Sequence, residues 1–289
     1  MNKSPEEHGI KLRTREHGSQ KIKCPECQPP HNNRDNPLTV TINTEGIVWF
    51  CHHCEWRGSY FENGKTPFTL PKQTYTRPNS PKQNSTDKMY SFFKARGITK
   101  SVVDKFKIFE EKGWFGFQYF NENSELENIK YRTADKGFKQ TKGAKQILYN
   151  YDSIYKKKSI VFVEGEMDVL SCEMVGYQAT TLPNGAPKEA KYNENDARFK
   201  ALQNCPLEAT KIIIFTDTDS AGKALHKELL HRFGKDISWF VRLPNDCKDA
   251  NDVLMKHGEN KLKQILDDAE PYPVDGLYSA NDYYGEIHD

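Results

Sequence analysis

Long apolar runs are missing from this 289-residue sequence. No stretch approaches the roughly 18 consecutive apolar residues that a membrane-spanning helix needs, and the mean hydropathy is −0.83. The opening residues, MNKSPEEHGI, lack the apolar core of a secretory signal. These absences exclude a membrane-spanning protein and predict a cytoplasmic one.

A nucleotide-motor motif and a large net charge are also missing. The nearest approach to G-x-x-x-x-G-K-[ST] is Gly58 with Gly64-Lys65-Thr66, which has five residues between its glycines. The net charge of +2 hides an asymmetry, because residues 1–160 carry 28 Lys and Arg against 17 Asp and Glu, and residues 161–289 carry 14 against 23. The basic half favours a polyanionic partner. The acidic half would repel that partner unless bound cations mask its carboxylates.

Composition and periodicity divide the chain. Prolines 67, 71, 78 and 81 stand among polar residues and predict an extended linker. Short helices are predicted at DKMYSFFKARG and around SVVDKFKIF. Aromatic alternation in WFGFQYF and ELENIKYRT predicts strands after them. From Lys158 onward, apolar strands alternate with amphipathic helices, which predicts an α/β fold with a mainly parallel sheet. The predicted divisions are a ribbon 1–63 that contains four of the seven cysteines, a linker 64–86, a basic α+β part 87–157, a parallel-sheet fold 158–270 and a second linker 271–289.

Two C-x-x-C pairs predict one structural zinc ion. Cys24 and Cys27 form the first pair, and Cys51 and Cys54 form the second after 23 intervening residues. Those residues include PLTVTIN and GIVWF, which favour an all-β ribbon. Disulfides are the alternative, but a chain without a secretory signal favours zinc. The histidines that offer substitute ligands are His31, His52 and His53.

The predicted ribbon carries aromatic and arginine side chains. Arg34, Trp49, Trp56 and Arg57 have the chemistry that stacks on single-stranded bases. A purely structural ribbon is the alternative, since metal binding supplies the folding free energy that a small core lacks.

Carboxylates follow three predicted strands. Glu164 follows SIVFV, Asp217 and Asp219 follow KIIIF, and Asp249 comes soon after ISWFVRL. Ligands of an open parallel sheet bind beyond the carboxyl ends of its strands, and an oxygen-ligand set suits Mg²⁺. Helix capping, for example by Asp219, is the alternative for one acid but not easily for all.

Three motifs in this region resemble those of the Toprim domain. They are VEGEMD at 163–168, DTDSAG at 217–222 and CKDAND at 247–252. With the cysteine ribbon and the linker, residues from about 20 to 270 resemble the primase half of bacteriophage primase-helicases. The segment IKYRTADKGFKQTKG and the loop PNGAP resemble the basic segment and glycine loop of the same family.

The resemblance implies a DNA primase that makes short RNA primers on single-stranded DNA from nucleoside triphosphates. It implies Glu164 as general base supported by Glu166 and Asp168, and Mg²⁺ on Asp217, Asp219 and Asp249. Its implied nucleotide or template contacts are Lys130, Arg132, Lys142 and Lys248. The ribbon would select the site on the template at which primer synthesis starts. Implied partners are a ring helicase and a replicative DNA polymerase, in the cytoplasm of a bacterial host if the origin is a phage.

Three alternatives remain open. A Toprim nuclease uses the same acids, although the ribbon and the basic segment disfavour it. A topoisomerase would need large strand-passage domains that are missing. A non-catalytic zinc-ribbon adaptor is disfavoured by the intact acid set. Without a motor motif, we expect a primase fragment or a stand-alone primase.

Overall fold

The computed structural model describes residues 3–27, 36–44, 46–61, 75–82, 84–187, 189, 192 and 196–273. The chain forms two compact units. One comprises Met1–Thr74 with Tyr192–Lys200, and the other comprises Tyr75–Lys191 with Ala201–Asp289. Among the described helices, none has the length and apolarity to cross a membrane.

The first unit is built on a four-stranded antiparallel sheet. Its strands are β1 (Gly18–Ile22), β2 (Leu38–Ile42), β3 (Ile47–Cys51) and β4 (Arg57–Tyr60), paired in that order. A short 3-10 helix, Glu6–His8, precedes them. Alternate residues of β2 and β3 are buried, which is the pattern of strands with one face on a core. The predicted all-β ribbon is confirmed.

The second unit begins with two helices and an antiparallel sheet in the order β5-β6-β7-β8. These elements are α1 (Asp87–Lys94), α2 (Lys100–Lys105), β5 (Phe109–Glu111), β6 (Trp114–Phe120), β7 (Leu126–Arg132) and β8 (Phe138–Gln140). The helix predicted across SVVDKFKIF is too long. Lys107 has a left-handed φ of 52°, which stops the helix and lets the chain enter β5.

Residues 75–82, from the carboxyl-terminal part of the predicted linker, are tied to this unit. The backbone N–H of Thr76 donates to the carbonyl of Gly143 at 2.8 Å. Arg77 forms ion pairs with Glu125 at 2.9 Å and Glu127 at 2.6 Å. Residues 62–74 of the linker region and the tail 274–289 lie outside the described residues.

The rest of the second unit is a five-stranded sheet in the order β10-β9-β11-β12-β13. All its pairings are parallel except that of β13. Its strands are β9 (Ser159–Val163), β10 (Ala179–Thr180), β11 (Lys211–Phe215), β12 (Ser238–Phe240) and β13 (Glu270–Pro271). The helices are α3 (Tyr151–Ile154), α4 (Glu166–Met174), α5 (Lys200–Asn204, of which residues 201–204 belong to this unit), α6 (Ser220–Phe233) and α7 (Ala250–Asp267).

Strand register fixes where the chain leaves this sheet. β9 and β11 are buried along almost their whole length, as expected for central parallel strands. Val163 pairs with Phe215, so both strands end at the same level. The residues that follow them therefore emerge side by side, and the predicted α/β class with a mainly parallel sheet is confirmed.

Candidate active site

Acidic side chains from three loops meet at the carboxyl edge of the parallel sheet. Glu164 follows β9 directly, Asp217 follows β11 after one residue, and Asp249 precedes α7. All three line one cleft of about 730 Å³. Ligand binding at this edge is the general rule for open parallel sheets.

Burial and mutual repulsion raise the pKa values of Asp217 and Glu164. Burial, followed by the proximity of Glu164, raises the pKa of Asp217 to about 7. Burial also raises the pKa of Glu164, and the charge on Asp219 raises it further. Glu164 Oε2 is buried and has no hydrogen-bond partner within the described part of the chain. A bound divalent cation would relieve both the repulsion and the unpaired oxygen, so the carboxylate set fits a hard cation such as Mg²⁺.

Two of the acids also cap helices, as the capping alternative expects. Asp219 Oδ1 accepts from the backbone N–H of Gly222 at 2.8 Å, and Asp249 Oδ1 accepts from that of Asp252 at 2.7 Å. A Cβ at residue 222 would lie 2.1 Å from the carbonyl oxygen of Asp217. Glycine in DTDSAG therefore lets the first turn of α6 approach the acidic loop closely. Capping orients these carboxylates. The second oxygen of Asp249 pairs with Lys248 at 2.8 Å, and Asp219 is not among the described residues that line the cleft.

Glu166 and Asp168 belong to the first turn of α4 and are buried. Glu166 Oε1 accepts hydrogen bonds from Lys130 Nζ at 2.7 Å and from the Tyr119 hydroxyl. Asp168 Oδ1 accepts from the backbone N–H of Asn251 at 3.1 Å. Burial and then the charge on Asp249 raise the pKa of Asp168 well above its usual range. These two carboxyls line the cleft and link α4 to β7 and α7.

Basic side chains form another part of the cleft wall. Lys130 and Arg132 on β7 line the cleft, and Arg96, which sequence reasoning missed, lies among them. Burial lowers the pKa of Arg132, and burial and then the charge of Arg132 lower that of Arg96. Arg132 Nε is buried without a hydrogen-bond partner among the described residues. Two neighbouring, partly desolvated guanidinium groups provide a site for an anion such as phosphate.

Arg96 carries no distinctive local pattern. It follows α1 and precedes Gly97, and cations at helix carboxyl ends ordinarily serve the helix dipole. Its guanidinium stacks on Phe92, with Cζ 3.7 Å from the ring centroid. Only the packing of the chain brings it to the cleft.

Of the two other residues predicted to contact nucleotide or template, only Lys248 lines the cleft. Lys248 lines the cleft and pairs with Asp249 at 2.8 Å. Lys142 is exposed on the turn after β8 and is not among the described residues that line the cleft. The loop residues Pro183, Asn184 and Gly185 line it, as do Lys136 and Lys139.

Four cysteines come together in the first unit. The Sγ atoms of Cys24, Cys27, Cys51 and Cys54 all lie within 4.8 Å of one another. Cys24 and Cys54 are 3.7 Å apart, and Cys27 and Cys51 are 3.5 Å apart. A tetrahedral zinc ion with Zn–S bonds of about 2.3 Å separates its sulfurs by about 3.8 Å. The cluster therefore fits zinc. His52, one of the substitute ligands that the sequence offers, contacts Thr39 at 3.1 Å.

Among the stacking residues predicted for the ribbon, Trp49 is buried. Trp49 is only 3% exposed, and a Cβ at Gly58 would lie 2.3 Å from its ring. Trp49 is thus a core residue that presents no face to a base, which corrects the prediction. Trp56 is half-buried with its ring 5.7 Å from that of Trp49, and Arg57 is exposed. Arg34 lies outside the described residues.

Fold and acidic edge together define a Toprim-type protein. A family model described as Toprim-like matches residues 161–254, which contain the acids that follow β9, β11 and β12. The fold is similar to that of the primase fragment of the bacteriophage T7 primase-helicase protein. That structure has a TM-score of 0.52 and 22% identity over 86% of this chain and 98% of that chain.

Sequence relatives narrow the class. The chain is 32% identical to the primase homolog protein of Arabidopsis thaliana over 87% of this chain and 81% of that protein. It is 31% identical to the Twinkle homolog protein of the same plant, over 91% of this chain and 41% of that protein. It is 25% identical to the DNA helicase/primase of Enterobacteria phage T3, over 83% of this chain and 43% of that protein. The chain belongs to the Toprim primase family represented by the Arabidopsis primase homolog. It spans less than half the length of the other two relatives.

Proposed function

We propose that this chain is a DNA-dependent RNA polymerase that synthesises short primers on a single-stranded DNA template. One observation carries the proposal: a carboxylate cluster around Glu164 and Asp217 lines the same cleft as Arg96, Lys130 and Arg132. Nucleotidyl transfer needs both the acidic and the basic side chains, because the acids serve the attacking hydroxyl and the cations hold a triphosphate.

In the proposed reaction, the 3′-hydroxyl oxygen of one nucleotide bonds to the α-phosphorus of the next nucleoside triphosphate. The bond from that phosphorus to the bridging oxygen breaks, and pyrophosphate leaves with the electron pair. Glu164 accepts the hydroxyl proton, for which its buried, unpaired Oε2 is suited. Asp217, Asp219 and Asp249 would hold Mg²⁺, which when bound lowers the pKa of the hydroxyl and neutralises phosphate charge.

The basic wall binds the substrate in this proposal. Arg96 and Arg132 take the triphosphate, since their neighbouring charges lack carboxylate hydrogen-bond partners among the described residues. Lys130 adds a third charge, and Glu166 sets its position through their 2.7 Å contact. Asp168 positions the backbone of Asn251, which also lines the cleft. Lys248 and Lys142 contact nucleotide and template at the edges.

The other parts of the chain have supporting roles. In the proposed division, the zinc ribbon 1–63 selects the start site and the linker 64–86 couples it to the polymerase core of residues 87–157 and 158–270. Residues 271–289 lead toward a ring helicase, fused or separate, and the finished primer passes to a replicative DNA polymerase. The similarity to the DNA helicase/primase of phage T3 supports the helicase in this proposal.

The decisive experiment incubates the chain with single-stranded DNA, labelled ATP and CTP, and Mg²⁺. Short labelled oligoribonucleotides that require the template are expected. Degradation of the DNA instead would establish the Toprim nuclease alternative. Template binding with neither product would establish the non-catalytic adaptor.

A further inference from the structure

Phe138 is an exposed aromatic residue in the cleft. Its exposure is 55%, and the other large apolar side chains exposed among the described residues are Tyr192 and Met255. Phe138 alone of these three lines the cleft that holds Glu164 and Arg132. An apolar ring left in water forgoes the stabilisation of burial, so its place beside charged groups favours a ligand with an apolar face.

The position of the ring is fixed by strand pairing. Phe138 pairs directly with Arg132, and Gln140 pairs with Lys130 on the same strand of the antiparallel sheet. Gln140 donates to the carbonyl of Pro183 at 2.9 Å and accepts from Asn128 Nδ2 at 2.9 Å. The edge strand β8 is therefore held from both sides, and it presents Phe138 in one place.

Two cations lie near the ring. Lys130 Nζ lies 5.6 Å and Arg132 Cζ lies 5.8 Å from its centroid, close to the roughly 6 Å limit of a cation–π contact. Both are within reach of a phosphate attached to a group that stacks on the ring. An aromatic face with neighbouring cations has the chemistry that binds a nucleotide through its base and its phosphate together.

We propose that Phe138 is a nucleobase-stacking site, and that Lys130 and Arg132 bind the phosphate of the stacked nucleotide. The stacked base belongs to the template strand or to the incoming nucleoside triphosphate. The proposal deepens the function proposed above and rests on it for the identity of the ligand. Because any base offers a flat π face, the site is expected to be tolerant of sequence.

The test compares ligands that have bases with ligands that lack them. Affinities of the full chain are measured for a single-stranded DNA oligomer, for an abasic oligomer of equal length, for ATP and for tripolyphosphate. Phe138→Ala is expected to weaken binding of a base-containing ligand by roughly five- to one-hundred-fold, and to leave its base-free counterpart unchanged. Phe138→Trp should preserve affinity, and Met255→Ala, which removes an exposed apolar side chain outside the cleft, should change nothing.

Comparing the DNA oligomer with ATP shows whether the stacked base belongs to the template or to the incoming nucleotide. A loss confined to the DNA oligomer assigns the template, and a loss confined to ATP assigns the incoming nucleotide. Equal losses for base-containing and base-free ligands would overturn the proposal, as would no loss in either arm. Thermal unfolding of each variant checks that it is folded. If the unmodified chain makes no primers but the base-dependent loss persists, the stacking site stands and the proposed polymerase activity fails.

Discussion

Lys130 Nζ donates a hydrogen bond of 2.7 Å to Glu166 Oε1, and the two side chains are only 12% and 7% exposed. The Tyr119 hydroxyl donates to the same oxygen. Lys130 comes from β7 and Glu166 from α4, so this contact joins the antiparallel sheet to the first turn after β9. We infer that Glu166 is a positioning residue for a substrate-binding lysine.

Glu166→Gln should weaken nucleotide binding and stability together. Removing one partner of a buried pair leaves the other charge poorly compensated, which typically costs about 3–5 kcal/mol. Lys130 also lines the open cleft, so we expect a loss at the low end, about 3 kcal/mol. The rise in KM for the nucleotide should exceed the fall in kcat, because a positioning residue acts through Lys130. Denaturant unfolding and initial rates measure these changes.

Matched variants test that interpretation. Tyr119→Phe removes only one hydrogen bond and should cost about 1 kcal/mol. Glu173→Gln breaks the more exposed pair with Lys105 and should cost less than about 1 kcal/mol. A Glu166→Gln variant with normal stability and normal KM would show that the pair has no positioning role.

Glu164→Gln and Asp217→Asn should both abolish primer synthesis, for different reasons. The glutamine lacks the proposed proton acceptor, and the asparagine weakens the proposed Mg²⁺ site. Raising Mg²⁺ should partly restore Asp217→Asn through mass action and should not restore Glu164→Gln. Dinucleotide formation across a Mg²⁺ titration measures this difference. Near-normal synthesis by Glu164→Gln would remove Glu164 from the role of base.

The raised pKa of Asp217 predicts a pH-dependent stability. Its carboxyl has a pKa of about 7 when folded against an ordinary value of 3.8, so the folded state binds the proton more tightly. This contribution to stability is therefore present at low pH and is lost as the pH rises from 3.8 to about 7. Melting temperatures in Mg²⁺-free buffer should fall more steeply with pH for the unmodified chain than for Asp217→Asn. Identical changes of melting temperature with pH in the two proteins would contradict the prediction. Added Mg²⁺ should raise the melting temperature of the unmodified chain most near pH 7, where Asp217 loses its proton.

The four-cysteine cluster predicts one zinc ion per chain. Cys51→Ser should lose the ion and unfold the first unit, since the metal supplies folding free energy to a small sheet. Elemental analysis and two-transition thermal unfolding follow these changes. We expect the transition of the second unit to persist, and Cys205→Ser, outside the cluster, to keep its zinc. Zinc-free protein from a chelator-free purification would disprove the site.

Exposed lysines near β8 predict a salt-dependent affinity for single-stranded DNA. Replacing Lys136 and Lys142 by Ala should reduce the slope of log affinity against log salt by about 0.7 for each phosphate contact removed. Lys227→Ala, on the exposed surface of α6, should leave the slope unchanged. Binding titrations at several salt concentrations measure it. An unchanged slope in the double variant would make this segment an ordinary solvated surface.

Local pattern in the sequence predicts much of the architecture and the identity of the acids. Paired C-x-x-C spacing predicts the metal cluster because thiolates at that separation converge on one ion. Glu164, Asp217 and Asp249 are predictable because each follows an apolar strand, and parallel strands end at one edge. Gly222 is predictable within DTDSAG, and its reason, the 2.1 Å approach to Asp217, is visible only in the fold.

The sequence by itself determined the ribbon, the parallel sheet and the edge at which the acids gather, since strand period, cysteine spacing and turn residues are local properties. Only the tertiary structure decided that Glu166 holds Lys130, that Arg96 joins Arg132 at the cleft and that Trp49 is buried while Phe138 is exposed. The first two outcomes depend on how α1, α4 and β7 pack, which brings together residues 36 positions apart, such as Lys130 and Glu166. The burial of Trp49 depends on the packing of the first unit's own core. No local periodicity encodes that packing, because side-chain pairing across elements is selected by burial and charge compensation in the folded chain.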